Sequence, residues 1–266
     1  MEYTEVKRGY PDRATRVISI INQKGGVGKS TTAVNLSAYL GENKKKVLVL
    51  DFDPQGNTTS GYGIDKESLD ADIYDALLHD YAIENLIEPT KQDSVYVIPA
   101  TIQLAGAEIE LVSKVSRETI LKRILEPIRD SFDYVFIDCP PSLGLLTVNA
   151  LVASDSLLIP IQCEFYALEG VTKLLESMKM VRGNLNPDLD VFGVLMTMYD
   201  SRTTLSKQVV EEVQNYFGNK VFKTIIPRSV KLSEAPSHGV PINLYSRINK
   251  GAVAYSRLAK EVMRRG

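Results

Sequence analysis

The chain has 266 residues, of which 44% are hydrophobic and 24% are charged, and its formal net charge at pH 7 is −2. A chain of this length can bury one large core, and length alone is compatible with one or two domains. Its apolar segments are far shorter than the roughly 18 to 20 residues that cross a bilayer, and its polar N-terminus lacks a signal-peptide core. We therefore expect a soluble, cytoplasmic protein. Cys139 and Cys163, the two cysteines, are too few for a disulfide framework and are expected to be buried thiols.

The charges are unevenly distributed along the chain. Residues 202–266 contain 12 Lys and Arg against four Glu, a net charge of +8, whereas the rest of the chain carries −10. This asymmetry is typical of a protein with a basic face that meets a polyanion, although a solvated helical surface produces the same pattern.

A glycine-rich loop follows the first predicted strand. Residues 1–15 are polar and are expected to form a flexible extension, and the β-branched run that follows predicts a strand. The loop contains Gly25, Gly26 and Gly28. Residues without a Cβ allow successive N–H groups to converge on phosphate oxygens, and the positive end of a following helix faces the same anion. The pattern therefore predicts a nucleotide-phosphate cradle.

The loop matches the phosphate-binding pattern G-x-x-x-x-G-K-[ST] with one change, since Gln23 stands at the first glycine position. Lys29 and Ser30 occupy the last two positions of the pattern. Lys24 is a second lysine, whereas an ordinary loop of this kind has one. A helix is predicted from residue 29 to residue 40, with Gly41 as its stop.

Two apolar runs, at residues 47–53 and 132–138, predict strands that end in acidic residues. Continuous apolar runs are typical of parallel strands that are buried on both faces, and open α/β folds bind ligands at the carboxyl edge of the sheet. The first run ends with Asp51 and Asp53. The second ends with Asp138, which has the form of a Walker B aspartate. We predict that Asp138 holds Mg²⁺ through water and that Ser30 supplies a direct hydroxyl ligand.

The other predicted elements alternate between helices and strands. Helices are predicted at residues 72–78, 117–128, 168–181 and 204–217, and strands at 95–99, 156–161, 191–198 and 222–226. Residues 226–239, with two prolines, are expected to form an ordered loop. This alternation predicts an α/β fold with a doubly wound, mainly parallel sheet and helices on both faces. Because no repeat or linker marks a second domain, residues 16–266 are expected to form a single nucleotide-binding domain.

The two-lysine loop resembles the deviant Walker A motif of the ParA/MinD class of P-loop ATPases. Within this class, residues 22–63 resemble the ParA/Soj family of chromosome- and plasmid-partitioning proteins, and residues 51–57 are similar to its switch I motif, DxDPQGN. Residues 132–142 and 224–239 match the same family, the latter with the motif IPRxxxLSEAPxxG. The resemblance thus extends from about Arg16 to the C-terminus.

The resemblance implies roles for individual residues. Lys29 would pair with the β- and γ-phosphates, and Lys24 would cross a dimer interface to the ATP of the other subunit. Asp53 would orient or activate the attacking water, and Asp51 would help to organise Mg²⁺ and the switch region. The candidate catalytic residues are Lys24, Lys29 and Asp53, and the candidate metal ligands are Ser30, Asp51 and Asp138. The candidate ATP-binding residues are Lys24, Gly25, Gly26, Val27, Gly28, Lys29, Ser30, Thr31, Pro227 and Arg228.

The resemblance also implies a function and partners. The chain is expected to be an ATP hydrolase of chromosome or plasmid segregation with weak intrinsic activity. ATP and Mg²⁺ would drive homodimerisation, and the dimer would bind double-stranded DNA without sequence preference. Arg202, Arg228 and Lys231 are the candidate DNA-binding residues, although Arg228 could face the nucleotide instead. A ParB-type, centromere-binding protein would stimulate hydrolysis, and the protein would be cytoplasmic and nucleoid-associated.

Two alternatives share the predicted fold. A MinD-like membrane-cycling ATPase would need an amphipathic membrane-binding tail, whereas this sequence ends at Gly266, directly after its last predicted helix, so no membrane partner is expected. An enzyme such as a dethiobiotin-synthetase-like ligase or an electron-transfer ATPase would need carboxylation chemistry or an iron–sulfur cluster. A cluster would require two suitably placed thiols in each subunit, and only Cys139 lies near the Walker B aspartate.

Overall fold

The computed structural model describes residues 15–165 and 167–265. In this part of the chain, seven strands form one sheet in the order β3-β4-β2-β5-β1-β6-β7. They are β1 (Arg16–Ile20), β2 (Val47–Asp51), β3 (Glu88–Pro89), β4 (Val95–Ile98), β5 (Tyr134–Asp138), β6 (Ser156–Gln162) and β7 (Asp190–Thr197). All neighbouring strands are parallel except β3 and β4. The predicted doubly wound, mainly parallel sheet is confirmed.

Eleven α-helices lie in the described part of the chain. They are α1 (Lys29–Glu42), α2 (Asn57–Gly61), α3 (Ile73–Leu78), α4 (Leu104–Glu110), α5 (Ile120–Arg129), α6 (Leu145–Ala153), α7 (Glu169–Asn184), α8 (Thr204–Phe217), α9 (Val230–Glu234), α10 (Ile242–Tyr245) and α11 (Lys250–Arg265). None of these helices combines the length and apolarity that a bilayer-spanning segment requires.

Both faces of the sheet are buried, as alternating residues of one strand show. On β2, Leu48 and Leu50 belong to one core cluster, whereas Val47 and Val49 belong to another. The first cluster includes apolar residues of α5, α6 and α7, and the second includes those of α1 and α11. This two-sided burial explains why the strands are continuous apolar runs rather than alternating ones.

The strand predicted at residues 222–226 is wrong. Isolated bridges lie only at the flanking residues, where Val221 pairs with Val194 and Pro227 pairs with Tyr199. Within the segment, the amides of Phe222 and Ile226 donate to backbone oxygens of β7. Its amides at Lys223 and Thr224 donate instead to the carboxylate of Glu261 on α11, at 2.8 and 2.9 Å. Those two amides are therefore not available for the regular hydrogen bonds between neighbouring strands.

Three smaller differences also come from tertiary packing. Gly41 lies inside α1 rather than after it. A Cβ at this position would lie 2.7 Å from the backbone oxygen of Asp93 and from a methyl group of Val95. The glycine thus permits close packing and does not stop the helix. The two-residue edge strand β3 was not predicted, and the loop predicted at residues 226–239 contains α9 and a 3₁₀ turn at Ala235–His238.

The expected flexible extension, residues 1–15, lies outside the described residues except for Thr15. That residue is buried, and its hydroxyl donates to the backbone oxygen of Phe132 at 2.7 Å. Cys139 and Cys163 are both buried free thiols, as predicted.

Candidate functional site

The carboxyl ends of the three central strands meet at one edge of the sheet. β5 pairs with both β1 and β2, and this register places Asp138 beside Ile20 on one side and beside Asp51 on the other. The glycine-rich loop leaves β1 at the same edge and enters α1. The adjacent parallel strands therefore bring together the loop and both acidic strand ends, which lie far apart in the sequence.

The glycine-rich loop is held by its neighbours on both sides. Gly26 and Gly28 have φ values of 72° and 91°, which residues with a Cβ rarely adopt. Asn22 accepts a hydrogen bond from the amide of Lys24 at 3.0 Å and donates to the backbone oxygen of Pro160 at 2.7 Å. Thr197 at the end of β7 donates to the backbone oxygen of Val27 at 2.8 Å. Contacts within the protein thus hold the loop in place.

Lys29 lies buried at the start of α1. Its Nζ donates to the backbone oxygen of Lys24 at 3.4 Å. Burial lowers the pKa of Lys29, and the carboxylates of Asp138 and Asp53 oppose that change. A phosphate anion in the cleft would also favour the charged ammonium. The geometry therefore suits Lys29 to the phosphate contact that was predicted for it.

Asp51 and Asp138 are fully buried and close enough to interact. Burial raises the pKa of Asp51, and the neighbouring Asp138 raises it further. Oδ2 of Asp51 accepts hydrogen bonds from the amide and hydroxyl of Thr59 at 2.7 and 2.8 Å, and its Oδ1 accepts from the amide of Asp53 at 3.3 Å. Both oxygens of Asp51 are thus occupied. This arrangement suits Asp51 to organising the switch I segment rather than to direct metal ligation.

Asp138 has a free coordination position. Its Oδ2 accepts from the hydroxyl of Thr58 at 2.7 Å, whereas its Oδ1 is buried and has no hydrogen-bond partner of good geometry among the described residues. Burial raises the pKa of Asp138, and the nearby hydroxyls of Ser30 and Thr58 oppose the rise. A divalent cation, or a water bound to it, would satisfy the unpaired oxygen and stabilise the carboxylate. Ser30 and Asp138 therefore fit the predicted Mg²⁺ site.

The described residues contain no group of three His, Cys, Asp or Glu side chains that could hold a metal ion. Mg²⁺ sites that bind nucleotides use one or two protein oxygens and complete the coordination with phosphates and water, so the predicted site does not require such a group.

A cleft of about 490 Å³ opens above the loop. Asp53 lies in its wall, mostly buried, and its Oδ1 accepts from the amide of Gln55 at 3.0 Å. The cleft is lined by residues of the loop and α1, of the switch I region, and of the C-terminal segment: Gly25, Gly26, Gly28, Lys29, Ser30, Thr31, Val34, Asn35, Asp53, Gln55, Asn57, Ser60, Gly61, Pro141, Met198, Leu232, Ser233, Ala235, Pro236 and Val240. Most of the predicted phosphate-binding residues are therefore in one place.

Pro227 and Arg228 line a second, smaller cavity of about 180 Å³. Gly28 and Thr31 of the phosphate loop also line it, as does Tyr255 of α11. The two cavities share a wall, so a base attached to a nucleotide in the larger one could extend toward this side. The contact of Pro227 and Arg228 with ATP stays a prediction.

Lys24 lies on the surface of the loop. Its side chain is half-exposed, and its Nζ lies 3.4 Å from the carboxylate of Glu164. Lys24 is not among the residues that line the cleft. The two lysines of the loop thus have different environments, one buried at the phosphate position and one on the surface.

The three candidate DNA-binding cations all have carboxylate partners. Arg202 pairs with Asp200 at 2.7 Å, Arg228 with Glu164 at 3.5 Å, and Lys231 with Glu234 at 2.7 Å. The guanidinium of Arg202 holds the pKa of Asp200 well below its usual range. All three cations are exposed enough to exchange a carboxylate for a phosphate.

Sequence reasoning missed several residues of the site. Thr58 and Thr59 tie the switch I helix α2 to the two buried aspartates. Met198 enters the cleft wall with φ of 53°, a left-handed conformation that its sequence did not predict. The hydroxyls could have been noticed, because they follow directly after the DPQGN segment, but Met198 carries no local signal.

The fold, the cleft and the loop define the class of this protein: a P-loop nucleotide-binding protein whose phosphate loop carries a second lysine. A family model described as an AAA domain matches residues 15–191. The sporulation initiation inhibitor protein Soj of Bacillus subtilis is 57% identical over 94% of this chain and 99% of its own length. The chromosome partitioning protein ParA of Myxococcus xanthus is 50% identical over 100% of this chain and 93% of its own. The chain belongs to the ParA/Soj family of chromosome-partitioning ATPases.

The solved structures include a similar fold with nucleotide bound. Cobyrinic acid a,c-diamide synthase from Mycobacterium smegmatis, with bound ADP and magnesium, aligns with a TM-score of 0.82 and 39% identity over 94% of each chain. At this level of identity the similarity extends beyond the strand order to the sequence itself.

Proposed function

We propose that this chain is a Mg²⁺-dependent ATPase of chromosome or plasmid segregation. ATP drives homodimerisation, the dimer binds double-stranded DNA without sequence preference, and hydrolysis releases it. The observation that carries this proposal is the difference between the two loop lysines. Lys29 is buried at the phosphate position, whereas Lys24 lies on the surface, outside its own cleft.

ATP and Mg²⁺ are the proposed ligands of the cleft. The supported loop supplies backbone N–H groups, and Lys29 supplies the fixed charge that offsets the β- and γ-phosphates. Ser30 and Asp138 would hold Mg²⁺, which supplies charge neutralisation on the phosphates when bound. The unpaired Oδ1 of Asp138 supports this assignment, as does the ADP and magnesium in the similar synthase structure.

Hydrolysis requires a positioned water and a charge that develops on the transferred phosphate. Asp53, held in the cleft wall by the amide of Gln55, is the proposed water-positioning residue. Lys24 would act on the ATP of the other subunit, because its side chain is exposed and does not line its own cleft. Intrinsic turnover of a single subunit is therefore expected to be weak.

Arg202, Arg228 and Lys231 form the proposed DNA-contacting set, supported by the net charge of +8 on residues 202–266. Exposed ion pairs contribute little, so their exchange for DNA phosphates costs little. A ParB-type, centromere-binding protein is the proposed activator of hydrolysis, and we place the protein in the cytoplasm on the nucleoid. In this proposal, residues 16–266 form one ATPase domain.

The test measures DNA and membrane binding in parallel. Co-sedimentation with random-sequence DNA, and separately with anionic liposomes, is carried out with ATP, with ADP and without nucleotide. We expect binding to DNA in ATP only and no binding to liposomes. Equal DNA affinity in ATP and ADP would contradict the proposal that ATP controls DNA binding. ATP-dependent binding to liposomes would favour the MinD-like alternative.

A further inference from the structure

The segment after Asp138 is held at its far end by a residue from another helix. We call residues 139–144, between β5 and α6, the switch II segment. The first helical residue after it, Leu145, donates its amide to Oε2 of Glu108 at 2.7 Å, and Leu146 donates to Oε1 at 3.3 Å. The N-cap residue, Gly144, supplies no side-chain cap. Glu108 of α4 thus accepts from two of the amides that the start of α6 leaves without intrahelical partners.

Gly144 makes room for this carboxylate. Its φ is −85°, so no unusual backbone conformation requires a glycine there. A Cβ built at this position would instead collide with both carboxylate oxygens of Glu108. The small residue at the end of the switch II segment and the acidic residue on α4 therefore depend on each other.

The segment that leads into α4 contacts switch I. The strand that leads into it, β4, ends before Ala100, whose amide donates to the hydroxyl of Thr59 at 3.0 Å. Thr59 in turn donates to Asp51 at 2.8 Å. On the core side, Leu104 and Ala107 of α4 are fully buried. The segment from Ala100 to Glu108 therefore contacts the switch I helix at one end and the start of α6 at the other.

We infer that Glu108 is a positioning residue for hydrolysis, one that fixes the switch II segment in register with switch I. The segment begins one residue after Asp138 and includes Pro141, which lines the nucleotide cleft. Its two ends are held by β5 and by Glu108. Loss of the carboxylate would leave the phosphate loop intact but free one end of the segment. The inference rests on the proposed ATPase function, because its main readout is turnover.

The first experiment is a double-mutant cycle on ATP hydrolysis. Glu108→Ala and Gly144→Ala are each expected to lower kcat about tenfold with KM for ATP changed by less than about twofold, since small misplacements near the reacting groups reduce turnover more than binding. Glu108→Gln keeps one acceptor oxygen and should fall between Glu108→Ala and wild type. The double variant Glu108→Ala/Gly144→Ala should be no slower than Glu108→Ala alone, because the methyl group then occupies the space that the carboxylate left.

Glu110→Gln is the matched control. Glu110 lies on the same helix and accepts a hydrogen bond from the hydroxyl of Tyr74 at 2.8 Å, on the exposed side. Its replacement removes one charge from α4 without touching α6, so kcat should stay at the wild-type value. If the factor by which kcat falls in the double variant equals the product of the factors for Glu108→Ala and Gly144→Ala, the proposed interaction between the two residues would be overturned.

The second experiment does not need ATP hydrolysis. Amide hydrogen exchange is followed at Leu145 and Leu146 in the nucleotide-free protein. Glu108→Gln and Glu108→Ala should speed exchange at these two amides while leaving the strand amides of β5 protected. Unchanged exchange would overturn the interaction itself, and faster exchange with an unchanged kcat would overturn the positioning role. If the wild-type protein shows no ATPase activity, the proposed function fails, and the exchange result still decides whether Glu108 holds α6.

Discussion

The nucleotide cleft and the proposed DNA-contacting set use charge in opposite ways. At the nucleotide site, Lys29, Asp51 and Asp138 are buried, and neighbouring strands and helices hold their positions. In the DNA-contacting set, the side chain of Arg202 is 86% exposed, and its ion pair is made with Asp200, two residues away. The cleft is organised by the whole fold, whereas two of the three DNA-contacting cations, Arg202 and Lys231, pair with carboxylates two and three residues away.

This difference determines what each region can do. A buried charge is costly without a partner, so the cleft is arranged for a ligand of defined geometry and charge. An exposed pair is weak and exchanges partners readily, so the surface set can accept any phosphate backbone. Substitutions in the cleft should therefore produce large effects on one step, and substitutions on the surface should produce small effects on affinity.

The largest effect is expected for Lys29→Ala. The substitution removes the buried ammonium that would offset the phosphate charge, so affinity for ATP should fall on the order of 100-fold, equivalent to about 3 kcal/mol. Titration with a fluorescent ATP analogue measures the change. Lys122→Ala, an exposed lysine on α5, is the control and should bind as wild type. Wild-type affinity of Lys29→Ala would show that this lysine does not contact the phosphates.

Asp53→Ala tests the cleft at the chemical step. It should bind ATP and dimerise but lose turnover by about 10²- to 10⁴-fold, because only the water-positioning group is removed. Phosphate release gives the rate, and size-exclusion chromatography in saturating ATP gives the oligomeric state. A monomeric Asp53→Ala protein under those conditions would assign the residue to dimer formation instead.

Lys24→Ala tests the residue that connects the two regions. This variant should bind ATP as a monomer without hydrolysing it, since its lysine would act on the other subunit. Mixed with Asp53→Ala, which still supplies Lys24, it should regain activity, because one site of each heterodimer then has both groups. Two inactive variants that stay inactive when mixed would argue that Lys24 acts in its own subunit.

The smallest effects are expected for substitutions in the DNA-contacting set. Arg202→Ala and Asp200→Asn should change the affinity for DNA in opposite directions. Arg202→Ala should weaken DNA binding equally on all sequences and reduce the slope of log K against log salt by about 0.9 for each DNA phosphate that is no longer neutralised. Asp200→Asn removes the competing carboxylate and should tighten binding a few-fold. Filter binding across a salt series measures both, with ATP hydrolysis in the absence of DNA as the control. The same direction of change in both variants would remove Arg202 from the DNA-contacting set.

The sequence by itself determined the architecture and the phosphate loop. The strands at the sheet centre are apolar runs because both faces are buried, and such runs are visible without coordinates. The loop glycines and Lys29 were equally visible, because a phosphate cradle needs consecutive residues of fixed type. Local chemistry within a few residues was sufficient for these features.

Tertiary structure decided the features that depend on residues distant in the chain. The segment at 222–226 was predicted as a strand from its apolar run, yet two of its amides donate hydrogen bonds to the carboxylate of Glu261 on α11. Likewise, Gly41 and Gly144 are small because of Val95 and Glu108, not because of their own backbone angles. In each case the partner comes from a different element of the fold. A local pattern contains no information about which distant side chain will approach, because that is set by how the helices pack on the sheet.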